Sequence, residues 1–316
     1  MSTVDFAVLV GVLGYVIFWW LSVAKAEKGV VNTIGLPLID NLLDFLPNKL
    51  LESLEVYRKK YGNLYLIRIV SKRIFVISEP TLGKEVLMKR PKQFRRSRGM
   101  EYAGNLMGVS LGLLHSSGAI WSKMRRATAP SFNQMNVTAK LDAIQNELQA
   151  WMKRIRSQAQ SKQVILDMFP EAFSLTIRVL SRAAFGLGPE DAVGKYFFSP
   201  TFITDMKHML QFTVQHGFMR LPTWLWKISP FYKYEVVAVE ANQRLSGHCQ
   251  NVIDYKRAQC NNHEGHAMID TLIQKHGKEI QDGGLTDEEV IHNVKIFYVA
   301  GTDTTGNLLY LLYIYF

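Results

Sequence analysis

Three patterns of apolar and polar positions follow one another along the chain. The first is an uncharged apolar run of 19 residues from Phe6 to Ala24. As a helix it would extend about 28 Å, close to the hydrocarbon thickness of a bilayer. Asp5 precedes it, Lys25 and Lys28 follow it, and Trp19 and Trp20 fall where interfacial aromatics anchor a helix end. That asymmetry predicts a single span with its lysine side in the cytosol. A cleaved signal peptide would need positive charge before the run, a shorter core and a small-residue cleavage site. The flanks therefore favour an uncleaved anchor over residues 1–28. Residues 29–49, with Gly35-Leu36-Pro37, are turn-rich and read as a hinge.

The second pattern is a short β-rich stretch. Leu50 to Tyr61 has helical periodicity, and the runs Asn63 to Val70 and Arg73 to Ser78 predict an antiparallel hairpin turning at Ser71-Lys72. The third pattern is helical and fills the rest of the body, residues 50–316 being read as one partial domain. Periodicity predicts helices over Thr81 to Lys89, Ala119 to Ala129, Asn136 to Gln160, Asp167 to Phe185, Phe202 to His216, Val236 to Ala258 and Thr286 to the last residue. The expected class is mainly α with a small β-sheet.

The last helix has a well-formed start. Thr286 is the expected N-cap, Glu289 the capping-box acid, and Leu285 with Val290 a hydrophobic staple. It continues without proline into LLYLLYIYF, an all-round apolar stretch that reads as a core helix awaiting neighbours.

Two constellations carry candidate chemistry. Ala300-Gly301-Thr302-Asp303-Thr304-Thr305 sits in the middle of that helix, although its glycine, aspartate and threonines are poor helix formers, together about 2 to 3 kcal/mol worse than alanine. Gly301 removes bulk so that a flat ligand can approach the backbone, and a mid-helix threonine can bond the carbonyl four residues back. The competing reading is a helix–helix contact at Gly301 with Asp303 facing water. The second constellation is Trp121 and Arg125, spaced by four on one helix that Pro130 closes. An indole N–H and a guanidinium there can grip one carboxylate, or can simply form a cation–π pair, with Lys123 or Arg126 solvated.

A formal charge of +10 favours an acidic partner, but the basic residues carry no nucleic-acid-reading motif, which places nucleic acid behind a membrane surface or an acidic protein. Cys249 and Cys260 show no metal-site or disulfide spacing, and as two small apolar-tolerant residues they can share one helix face.

The two motifs, in this order behind a single span and a two-strand opening, resemble the cytochrome P-450 family. The W-x-x-x-R helix of that family matches Trp121 and Arg125. Its [AG]-G-x-[DE]-T-[TS] motif matches Ala300, Gly301, Asp303, Thr304 and Thr305, with Pro91 to Phe94 and Gly118 in support. The resemblance runs from Gly35 to about Leu312 and implies a cytochrome P-450-like fold, incomplete here, with one transmembrane helix. It implies haem as cofactor, dioxygen and an apolar small-molecule substrate as reactants, and a flavoprotein reductase as electron donor at the endoplasmic reticulum membrane. Trp121 and Arg125 would hold a haem propionate. Thr304 would hydrogen-bond the dioxygen, Asp303 would relay protons, and Gly301 would leave room for oxygen. Phe202 to His216 and Phe231 to Ala258 would roof the substrate pocket.

The family's iron-ligating cysteine follows an aromatic and several glycines, and neither Cys249 nor Cys260 stands in such a setting. Its E-x-x-R pair has only an out-of-place match in Glu55 and Arg58, and the hinge is poorer in proline. The expectation is a fragment of a monooxygenase that ends before the thiolate and is inactive as it stands. The alternative from another class is a non-catalytic single-span helical protein that binds a partner or lipid.

Overall fold

The computed structural model describes residues 3–24, 29–37, 39–45, 49–69, 72–90, 92–95, 97–160, 167–218, 223–259, 267–274 and 284–315. Lys25, Lys28, Ser71, Pro91 and Cys260, which entered the sequence reading, lie outside them. In chain order the elements are α1 (Thr3–Ala24), β1 (Val31–Asn32), α2 (Leu50–Tyr61), β2 (Leu64–Ile69), β3 (Lys72–Ile77), α3 (Pro80–Met88) and α4 (Arg98–Leu106). They continue with α5 (Gly118–Thr128), α6 (Gln134–Thr138), α7 (Leu141–Gln160), α8 (Met168–Phe185) and α9 (Pro200–Phe218). The chain closes with α10 (Thr223–Ile228), α11 (Tyr232–Gln259), α12 (Met268–Gln274) and α13 (Asp287–Tyr315). The fold is mainly α with a small sheet, as the patterns predict. It divides into two compact units, Met1–Gly99 with Val214–Ser229, and Met100–Thr213 with Pro230–Phe316.

In the first unit β2 is the central strand, parallel to β1 and antiparallel to β3, with Leu64 opposite Ile77 and Ile69 opposite Lys72. Alternate residues Tyr65, Ile67 and Ile69 are buried with Phe45, and Leu54, Tyr57 and Tyr61 of α2 pack against them. Leu66 and Arg68 between them are buried as well, so both faces of β2 are covered. The stretch read as a hinge supplies β1 and Phe45 to this unit, and its buried Thr33 donates a hydrogen bond to the Leu66 carbonyl at 2.9 Å.

Helix α1 covers the apolar run, and Trp19 Nε1 donates to Asp40 Oδ1 at 3.1 Å. Its described side chains, Val8 and Val10 to Leu21, are exposed apart from the partly covered Trp19. Among the described residues no helix is long and apolar enough to cross a membrane.

In the second unit α13 packs along α8 and also meets α11 and α12, while α7 lies on α8. The core centres on Tyr298, whose ring lies between Phe185 (3.9 Å) and Phe197 (3.8 Å) in near-parallel stacks. The capping box at the start of α13 is formed as expected: Thr286 N donates to Glu289 Oε2 at 2.8 Å, and Glu289 N to Thr286 Oγ1 at 3.2 Å. Asp167 caps α8 through Phe169 N. The helix predicted over Asn136 to Gln160 is instead two, α6 and α7, broken at Ala139 and Lys140. Asn133 caps α6 by accepting from Asn136 N at 2.7 Å, a start signal that precedes the predicted one by three residues. Helices α4, α10 and α12, of six to nine residues, were not anticipated.

Candidate functional site

The site residues lie on α5 and α13, both in the second unit. Thr304 is exposed, and its hydroxyl donates to the Ala300 carbonyl at 2.9 Å, the back-bond anticipated for a mid-helix threonine. A helix turns about 100° per residue, so Ala300 and Thr304 share one stripe while Gly301 and Thr305 share the next. Gly301 faces α8: a Cβ there would stand 3.0 Å from Leu180 Cδ2, so the close approach that needs glycine is to this neighbouring helix. Gly301 and Thr305 also line an apolar groove of about 360 Å³ with Leu148, Val179 and Leu309. Asp303 is half-buried, and its Oδ1 accepts from Asn307 Nδ2 at 3.1 Å.

On α5, Trp121 and Arg125 are both exposed. Among the described residues neither the indole N–H nor the guanidinium has an acceptor, and no cation–π contact joins the two, so the cation–π alternative is not realised. The buried side of α5 docks on α13. Met124 Sδ accepts from Asn293 Nδ2 at 3.0 Å, and Lys123 Nζ reaches both Glu289 carboxylate oxygens at 2.9 and 2.7 Å. Lys123 is therefore not the solvated lysine of the sequence reading; it pairs with the capping-box acid. Just beyond α5, Phe132 stacks on Phe297 at 5.6 Å.

Glu289, Asn293 and Phe297 recur every four residues, and this is the stripe on which α5 and Phe132 sit. Thr304 comes seven residues after Phe297, within about 20° of it around the axis and roughly 10 Å further along. Trp121 and Arg125 lie about 60° and 100° around α5 from Met124 but about 160° from Lys123, on the side of the helix turned away from these contacts with α13. The α5–α13 seam is thus set by Lys123, Met124 and Phe132 against Glu289, Asn293 and Phe297.

Sequence reasoning missed the polar groups that build this seam. His292, Asn293 and Lys295 are almost wholly buried, and the run His292-Asn293-Val294-Lys295 inside an otherwise apolar stretch was the available signal. The segments expected to roof a substrate pocket behave differently too. Phe202, Met206 and Phe212 of α9 are buried, with Phe202 against Phe197 and Tyr298, so packing accounts for their apolar character.

Comparison with known proteins bears on the same residues. The family model for cytochrome P-450 matches residues 32–314. The chain belongs to the cytochrome P-450 family. Among curated cytochromes P-450 it is 22% identical over 271 residues to cytochrome P-450 709B1 of Arabidopsis thaliana, covering 84% of this chain and 50% of that one. It is 28% identical over 253 residues to secologanin synthase 2 of Catharanthus roseus, covering 74% of this chain and 44% of the relative. The chain thus spans about half the length of these relatives. The fold matches that of a cyanobacterial CYP120A1 with retinoic acid bound, at a TM-score of 0.66 and 15% identity over 87% of this chain and 57% of that one.

The side chains fit the edge and one face of the haem that the family implies. An exposed indole N–H and guanidinium with no acceptor among the described residues suit a carboxylate edge, and the exposed Thr304 with the partly covered Ala300 suits a flat face. The one described cysteine does not suit an axial thiolate. Cys249 is fully buried, and burial pushes its thiol up to about 12, which keeps it protonated and unsuited to iron.

Proposed function

We propose that this chain is the N-terminal part of a haem-dependent monooxygenase that inserts one oxygen atom from dioxygen into an apolar small molecule. The observation that carries the reading is the pair of exposed donors Trp121 and Arg125, four residues apart on α5 and without an acceptor among the described residues. Bound haem would supply the oxygen activation. Arg125 and Trp121 would neutralise and orient a propionate, where a guanidinium makes charge-assisted contacts. Ala300 and Thr304 would face the porphyrin. The Thr304 hydroxyl, while donating to the Ala300 carbonyl, keeps a lone pair with which to accept a hydrogen bond, and Asp303 is the neighbouring carboxyl that would relay protons. Gly301 and Thr305 would shape the helix at this point.

The reading includes an iron thiolate that comes from sequence beyond this chain, so that the chain is a fragment without monooxygenase activity of its own. The 19-residue apolar run and the exposed side chains of α1 favour a single-pass anchor in the endoplasmic reticulum membrane with the body in the cytosol. The charge of +10 suits the acidic docking face of a flavoprotein reductase.

Haemin titration of the purified chain tests the proposal. The parent is expected to take up one haemin, and Arg125→Ala to weaken uptake by about tenfold through loss of the charge-assisted contact. Equal affinity in the two proteins would remove Arg125 from the site; no uptake by the parent would favour the non-catalytic, partner-binding alternative.

A further inference from the structure

Between α4 and α5 the chain crosses α13 as a strap, and three successive polar residues of α13 hold it. The Leu111 amide donates to His292 Nδ1 at 3.1 Å, and the Leu113 amide to Asn293 Oδ1 at 3.0 Å. Between them Gly112 lies so close to the helix that a Cβ would stand 2.3 Å from Ile296 Cδ1 and 3.0 Å from the His292 carbonyl. One turn on, Lys295 Nζ donates to the Met107 carbonyl at 2.7 Å, to Ser246 Oγ at 3.0 Å and to Asn242 Oδ1. Asn293 has a second set of contacts: its Nδ2 donates to the Glu289 carbonyl at 2.7 Å and to Met124 Sδ on α5. Asn293 thus bonds to the strap, to α13 and to α5, and it is fully buried.

Backbone amides held by side-chain acceptors are fixed only while those acceptors remain, because no ladder or helix backs them up. The strap runs directly into α5. We propose that Asn293, assisted by His292 and Lys295, is a positioning residue that sets α5 against α13 and so aims Trp121 and Arg125 at the proposed haem edge. It acts through the strap and Met124, and has no contact with haem in this scheme. The inference deepens the haem reading and rests on it for its functional consequence.

The test compares Asn293→Ala with Val294→Ala, a truncation at the next, equally buried position. Hydrogen exchange of the haem-free chain is read for residues 109–113 and for α5, alongside haemin affinity. Asn293→Ala is expected to speed exchange in the strap and α5 by about tenfold or more while the rest of α13 exchanges as in Val294→Ala. It is also expected to weaken haemin uptake by about tenfold, with Val294→Ala close to the parent. Asn293→Asp, which keeps the oxygen that accepts from Leu113, should restore protection of the strap more than that of α5. Uniform loosening in both alanine variants would overturn the proposal, as would a loosened α5 that binds haemin as the parent does. If the parent itself takes up no haemin, the haem reading fails, and exchange at α5 alone decides whether Asn293 positions that helix.

Discussion

Asp287 to Tyr298 and Gly301 to Tyr315 belong to one unbroken helix, yet the two halves are built on opposite terms. The first half buries Glu289, His292, Asn293 and Lys295, and each meets hydrogen-bonding partners supplied by α5, α11 or the strap. The second half leaves Leu308, Leu311, Leu312 and Ile314 about half exposed. Buried polar groups are expensive unless paired, and pairing fixes neighbours in place; exposed apolar groups pack against nothing and leave their surface open to be covered. The first half is therefore a scaffold with its polar groups paired, and the second packs on one side, with Gly306 against Phe173 and Tyr310 against Phe169, while its other side is open. The proposed site, at Ala300 to Thr305, lies where one gives way to the other.

Matched truncations should expose that difference most strongly. Lys295→Ala strands three acceptors in the core and is expected to lower stability by about 2 to 4 kcal/mol, after allowing for relief of the buried ammonium. Leu312→Ala in the exposed half is expected to change stability by less than about 0.5 kcal/mol. Urea unfolding of the two variants reads both values, and comparable losses would erase the distinction between the halves.

A smaller effect concerns acid. Burial, with the nearby Lys295 charge, lowers His292 to about 4, and its Nδ1 must stay unprotonated to accept from Leu111. Between about pH 6.5 and pH 4 the unfolded chain takes up a proton at this residue that the folded chain refuses. The stabilisation is thus complete above pH 6.5 and is lost as pH falls towards 4, by about 2 to 3 kcal/mol. Stability measured against pH should fall less steeply for His292→Asn, which keeps an acceptor without a titrating group; parallel curves would mean that His292 is not held neutral.

The long-period features of this chain were readable from its sequence because they repeat. The β2–β3 hairpin, the capping box at Thr286 and Glu289, and the back-bond from Thr304 to Ala300 follow from spacing alone. What escaped is what depends on tertiary neighbours. Gly301 read equally well as a ligand groove or as a helix contact, and only the position of Leu180 shows that it faces α8. The pairing of Lys123 with Glu289 spans 166 residues, a separation across which local patterning carries no information. The same holds for the strap, whose acceptors lie about 180 residues along the chain from its amides.

The central proposal is that Trp121 and Arg125 of α5 and Ala300 to Thr305 of α13 hold a haem whose thiolate ligand is neither Cys249 nor Cys260. The ferrous carbon-monoxide spectrum of the haemin-loaded protein tests it directly. The expected result is retained haem without the red-shifted band of thiolate ligation. That band, abolished by replacing Cys249 or Cys260, would place the iron ligand within this chain and contradict the account.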